Sequence, residues 1–156
     1  EIKQVIENSN QSVHVDYPFY LLLSERESKD TNDSSLISYF TYDHLTYLFM
    51  GDASKQIEKQ LMATYDLKAD VIKVGHHGSN TSSDPDFLDS LDCKVALISC
   101  GYKNKYGHPS VETLKTLENL HINTLCTSDC GSIAMYSLFH FSFVVTNDGM
   151  FGIIWT

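Results

Sequence analysis

The chain has 156 residues, 20 acidic against 11 basic, for a net charge of −9, and 42% of its residues are hydrophobic. That length suits one domain able to bury its own core, and the composition excludes disordered, collagen-like and coiled-coil chains. The acidic balance excludes a groove binder that neutralises phosphates with its own Lys and Arg. If this protein handles nucleic acid, divalent cations must supply much of the positive charge.

In chain order, Val13 to Leu23 reads as a strand and Ser24 to Ser35 as a polar loop. Ser34 to Tyr42 and Leu45 to Met50 are aromatic and β-branched runs joined by a two-residue hairpin at Asp43-His44. Ala53 to Tyr65 spaces Ile57, Leu61 and Met62 on one helical face, with Lys and Glu on the other. Ala69 to Val74 is a short strand, Asp84-Pro85 opens a short helix, and Lys94 to Ser99 is a buried strand. Pro109 to Leu120 is a helix with Val111, Leu114, Leu117 and Leu120 at helical spacing, followed by the strand Ile122 to Thr127. This alternation predicts an α/β fold with crossover helices. The tail turns antiparallel: Ser132 to Thr146, the turn Asn147-Asp148-Gly149, then Met150 to Trp155. No apolar block approaches the ~18 residues needed to cross a bilayer. The cysteines (Cys93, Cys100, Cys126, Cys130) do not make a disulfide scaffold; Cys126 and Cys130 are spaced to permit a metal pair but have no second pair to match.

Residues of catalytic type fall in the loops after strands. Gly51-Asp52 follows Leu45 to Met50, Gly75-His76-His77-Gly78-Ser79 follows Ala69 to Val74, Tyr106-Gly107-His108-Pro109 follows Lys94 to Ser99, and Ser128-Asp129 follows Ile122 to Thr127. Ligands of layered α/β folds collect at such strand ends. A carboxylate gathered with imidazoles suits a first-row divalent metal, which polarises a phosphoryl or carbonyl oxygen and activates water. The run Ser79, Asn80, Thr81, Ser82 and Ser83 offers hydrogen bonds to an anionic substrate. Structural alternatives stand beside these readings. Asp52 could cap the helix that follows, His108 could start one, and Asp129 could be a turn residue.

The segments Asn32 to Leu36, Leu48 to Ala53 (LFMGDA), Val71 to Ser79 (VIKVGHHGS), Val95 to Ser99 with Tyr106 to Pro109 (YGHP), and Thr127 to Ile133 match a known pattern. Together they resemble the metallo-β-lactamase-fold domain of ComEC-type DNA-uptake competence proteins, over about Asn32 to Ile133. The resemblance implies an αββα sandwich with a two-metal hydrolase site, zinc or manganese, between its sheets. It implies Asp52 as a bridging ligand and catalytic carboxylate, and His76 as a metal ligand, with His77 competing for that role. His108 and the loop of Ser79, Asn80, Thr81 and Ser82, with His77, would face the phosphate of DNA or another phosphodiester.

The family's principal metal motif, His-x-(His/Asp)-x-Asp-His, is missing; His14-Val15-Asp16 is the nearest match. The chain opens Glu1-Ile2-Lys3, so the expectation is one domain over residues 1–156, the second half of a metallo-β-lactamase-like unit from a larger bacterial membrane protein. Such a half-sandwich would cover one sheet face with helices and leave the other apolar. That predicts self-association or pairing with the missing half, and with the membrane-embedded channel part of the same polypeptide. Two rival readings remain open. One is a non-catalytic DNA-contact or assembly module, the other a metallo-hydrolase for a different phosphodiester.

Overall fold

The computed structural model describes residues 19–22, 32–139 and 141–154. His14-Val15-Asp16, the start of the first predicted strand and most of the following loop lie outside the described residues. A six-stranded sheet runs in chain order: β1 (Phe19–Leu22), β2 (Ile37–Tyr42), β3 (Leu45–Phe49), β4 (Val71–Lys73), β5 (Val95–Ile98) and β6 (Asn123–Cys126). The steps β1–β2 and β2–β3 are antiparallel, and β3 to β6 are parallel. The helices α1 (Lys55–Thr64), α2 (Pro85–Ser90) and α3 (Val111–Asn119) make the three parallel crossovers. Crossovers of one hand between strands laid down in sequence put every helix on the same face of the sheet.

Period-two alternation divides the strands between two cores. Leu48, Ile72, Ala96 and Ile98 point to the helices and pack with Ile57, Leu61, Phe87, Leu88 and Leu117. Leu45, Tyr47, Val71, Val95 and Leu125 point the other way. That second face is not bare as expected. It is covered by an antiparallel sheet of β7 (Ile133–Leu138), β8 (Phe141–Thr146) and β9 (Phe151–Ile154), which contributes Val144 and Ile154 to the core. The chain thus supplies the cover itself, and the exposed apolar surface moves to the outer side of that small sheet.

Two further expectations are corrected. Ser132 to Thr146 is not one run but two strands, turning after Leu138, where Phe139 adopts φ 50°. The turn carries no Gly, Pro or Asn, and the apolar alternation gives no sign of it. On α1 the buried residues are Ile57, Glu58 and Leu61, whereas Met62 is exposed. The inward face is rotated from the one that hydrophobicity marked out.

Candidate functional site

The loops at the carboxyl ends of β3, β4 and β5 form the site. After β4, Gly75–Gly78 makes a tight turn in which His76 (φ 47°, ψ 43°) and His77 (φ 55°, ψ 23°) are both left-handed. Two consecutive non-glycine residues in that region store backbone strain, which the surroundings must hold in place. They do so from several sides. His76 N–H donates to the Gly51 carbonyl at 3.0 Å, Ser110 N–H to the Gly78 carbonyl at 2.8 Å, and Lys55 N–H to the Thr81 carbonyl at 2.8 Å. A Cβ on Gly75 would lie 2.7 Å from the Ala53 carbonyl, so only glycine lets the β3 and β4 loops approach this closely.

This turn sends its two imidazoles in different directions. His77 Nδ1 donates to the Ser99 carbonyl at 2.6 Å. That bond fixes the tautomer, because a carbonyl only accepts, and in the neutral ring it leaves Nε2 as the free lone pair. Nε2 faces Asp52 Oδ1 at 3.7 Å. His76 instead meets Thr81 Oγ1 through Nδ1 at 3.2 Å, and its ring lies edge-on to His108, 5.9 Å away. Asp52 does not cap α1; the cap position is Ser54, and the Asp52 backbone N–H is held by Ser35 Oγ at 2.9 Å. Nor does His108 start a helix: Ser110 caps α3 by accepting from the Thr113 N–H.

The hydroxyl run divides by burial. Ser82 is buried and donates to the carbonyls of Gly75 (2.8 Å) and Ser79 (3.0 Å), so its hydroxyl holds the turn. Ser79 is buried and bridges to Thr81 Oγ1 at 3.0 Å. Asn80 and Thr81 are exposed. Ser128 and Asp129 lie in the one-turn helix α4 (Thr127–Cys130), where the Ser128 hydroxyl donates to the Asp129 carboxylate at 3.0 Å. Cys130 Sγ donates to the Cys126 carbonyl at 3.1 Å.

Beside the histidines lies a cleft of about 310 Å³, walled by His77, Ser99, Cys100, Asn104, Tyr106 and His108 among others. Tyr106 stacks on His108 with ring centroids 5.8 Å apart. Burial pushes the His108 pKa down, and the neighbouring His76 and His77 push it the same way. Its Nδ1 is buried and finds no hydrogen-bond partner among the described residues.

Two residues beside the site carry no motif of their own, and only the first has a positioning contact there. The Asn104 side chain accepts the His108 N–H at 2.9 Å and donates to the His108 carbonyl at 2.6 Å, closing the loop. Lys73, at the end of β4, has its pKa lowered by burial and partly restored by the charge of Asp52. A lysine inside the apolar run Val71-Ile72-Lys73-Val74 was the available signal for it.

Asp52 and His77 present a carboxylate oxygen and an imidazole lone pair to one gap, the chemistry of two ligands of a zinc- or manganese-type ion. The Ser99 carbonyl supplies the outer support such a histidine normally has. Among the described residues, no group of three or more His, Cys, Asp or Glu is placed to hold a metal. The donors present therefore fit part of a coordination shell.

No family model matches the chain. It is 36% identical over 120 residues to the ComE operon protein 3 of Bacillus subtilis, an alignment covering 76% of this chain and 16% of that protein. It is 33% identical over 126 residues to the Competence protein ComA of Neisseria gonorrhoeae, covering 80% and 18% respectively. A third relative, Recombination protein 2 of Haemophilus influenzae, is 39% identical over 70 residues, 45% of this chain and 9% of that one. The chain spans less than a fifth of the length of these relatives. Over that segment it is a homologue of competence proteins.

Proposed function

We propose that this chain is the second half of a metallo-β-lactamase-like αββα domain. Its site works in metal-dependent hydrolysis of DNA phosphodiesters during DNA uptake, completed by residues from outside the chain. The observation that carries this reading is the Asp52–His77 pair. With Nδ1 committed to Ser99, His77 turns a lone pair toward a carboxylate oxygen 3.7 Å away, an arrangement that a shared cation stabilises. Asp52 and His77 would hold the ion, with His76 beside them on the Thr81 side. When bound, it supplies Lewis acidity toward a phosphoryl oxygen.

The chain's own residues do the rest. Asn80 and Thr81 offer hydrogen bonds to phosphate oxygens. Burial and the neighbouring His76 and His77 lower the His108 pKa, which favours the neutral imidazole that a proton acceptor needs. Tyr106 lines the cleft and Tyr102, four residues earlier in the same loop, is exposed, with Lys103 Nζ 5.2 Å from the Tyr102 ring centroid and Lys105 Nζ 4.9 Å from that of Tyr106. Aromatic faces with adjacent ammonium groups suit bases and phosphates of a nucleic acid strand, in a chain otherwise strongly acidic. The membrane-embedded part of a longer polypeptide is the proposed partner. Among the described residues, no helix is long and apolar enough to cross a membrane.

A second reading, a non-catalytic DNA-contact or assembly module, is favoured by one observation: two ligands stand where a catalytic zinc takes three from protein. Calorimetric titration with manganese and zinc tests the site. Asp52→Ala and His77→Ala should each weaken binding about tenfold or more, as loss of a ligand does, and His76→Ala should weaken it less. Unchanged binding in both of the first two variants would defeat the ligand assignment. Metal binding without hydrolysis of DNA, once the upstream half is supplied, would favour the second reading.

A further inference from the structure

We propose that Cys100 and Cys126 form a thiol–disulfide exchange site in the wall of the cleft. Its reactant is a small disulfide of the glutathione class, and its product is an intramolecular bridge that ties the β5 loop to β6. The two sulfurs lie 3.3 Å apart. They come together because β5 and β6 are parallel neighbours in which Ile98 sits opposite Cys126, so the chain leaving β5 places Cys100 over the end of β6. Thr127 clamps the two backbones, its Oγ1 accepting from the Cys100 N–H at 2.9 Å and donating to the Cys100 carbonyl at 2.9 Å. The other cysteines are engaged differently. Cys93 donates to the carbonyls of Val95 and Asp70, and Cys130 to that of Cys126.

Access sets the order of events. Cys100 lines the cleft, while Cys126 is buried behind it. The Cys100 thiolate attacks one sulfur of the incoming disulfide, forming a mixed disulfide and releasing the first small thiolate. Cys126 then attacks the Cys100 sulfur, expelling the second small thiol, which leaves with the Cys126 proton. Two protein thiols are oxidised and one small disulfide is reduced to two thiols, so electrons and protons balance.

Closing the gap to the roughly 2 Å of an S–S bond draws Cys100 toward β6. Its neighbour Ser99 provides the carbonyl that holds His77 Nδ1. The state of the thiol pair is therefore coupled to the orientation of His77, whatever the cleft acts on.

The test takes the reduced full chain, exposes it to oxidised glutathione, quenches in acid, alkylates the remaining thiols and maps the products by mass spectrometry. The expected result is one bridge between Cys100 and Cys126, with Cys93 and Cys130 alkylated. Cys126→Ser should accumulate glutathione on Cys100, the adduct living about tenfold longer than in the parent for want of a resolving thiol. A bridge at any other pair, a persistent mixed disulfide in the parent chain, or four thiols still free would each overturn the proposal. In a proton–nitrogen spectrum, the His77 imidazole signal should shift on oxidation and return with dithiothreitol. A bridged protein with an unmoved His77 signal would overturn the coupling.

Discussion

The Glu58 carboxylate on α1 accepts the Asp84 backbone N–H at 2.7 Å, and the Ser83 N–H at 2.8 Å, in a site where Glu58 is 1% exposed. One side chain thus joins the first crossover helix to the end of the hydroxyl loop. Asp84 in turn caps α2 by accepting from the N–H groups of Asp86 and Phe87.

Burial pushes the Glu58 carboxyl up to about 7, although its two amide bonds pull the other way. The folded chain therefore keeps a proton that the unfolded chain releases near 4.5. Folding is favoured most below that pH, and this contribution is lost as pH rises through about 7. Urea unfolding between pH 5 and 8 should show stability falling across this window, and Glu58→Gln should flatten the fall. An equal slope in the variant would place the titration elsewhere.

Gly78 and Gly107 separate crowding from backbone strain. Gly78 has φ 79°, and a Cβ there would sit 2.8 Å from Pro109 Cβ. Gly107 has φ 68° with nothing within 4 Å. Gly107→Ala should cost about 1–2 kcal/mol, the strain of a left-handed residue. Gly78→Ala should cost more, on the order of 2–4 kcal/mol, because Pro109 must also move. Thermal unfolding of the two variants decides it, and equal losses would show that Pro109 yields freely.

If the loop from Tyr102 to Tyr106 carries nucleic acid, Tyr102→Ala and Tyr106→Ala should each weaken binding of a fluorescent oligothymidylate by about 1–3 kcal/mol. Lys103→Ala and Lys105→Ala should instead lower the salt dependence, each reducing the slope by about 0.7. Tyrosine variants that bind as the parent does would move the interface elsewhere.

The outer side of the β7–β9 sheet presents Tyr136, Leu138, Phe141, Phe151 and Ile153, all exposed, with Phe139 at its turn 82% exposed. Six such side chains offer on the order of 600 Å² of apolar surface, approaching the ~800 Å² per partner of a stable interface. Sedimentation equilibrium should find dimers of this chain at micromolar concentration. Phe139→Asp with Phe151→Lys should return it to monomer. A parent chain that sediments as a monomer would show that the face waits for a different cover.

Much was legible in the residues alone. The crossover elements, the Asp84-Pro85 helix start, the Asn147-Asp148-Gly149 turn and the gathering of Asp52, His76, His77 and His108 at strand ends follow from periodicity, capping and turn chemistry. These are local rules that act within a few residues. Tertiary structure decided what depends on direction and on distant neighbours. It paired Asp52 with His77 rather than His76, because a strained turn splays the two rings and Ser99, far along the chain, holds one of them. It buried Glu58 and left Met62 in solvent, because two amides from the α2 start outweighed hydrophobicity. It brought Cys100 to Cys126 through the register of two parallel strands, which no sequence spacing encodes. The apolar face it left on the small sheet has the same origin: alternation tells that a strand has two sides, and only packing tells which of them is covered.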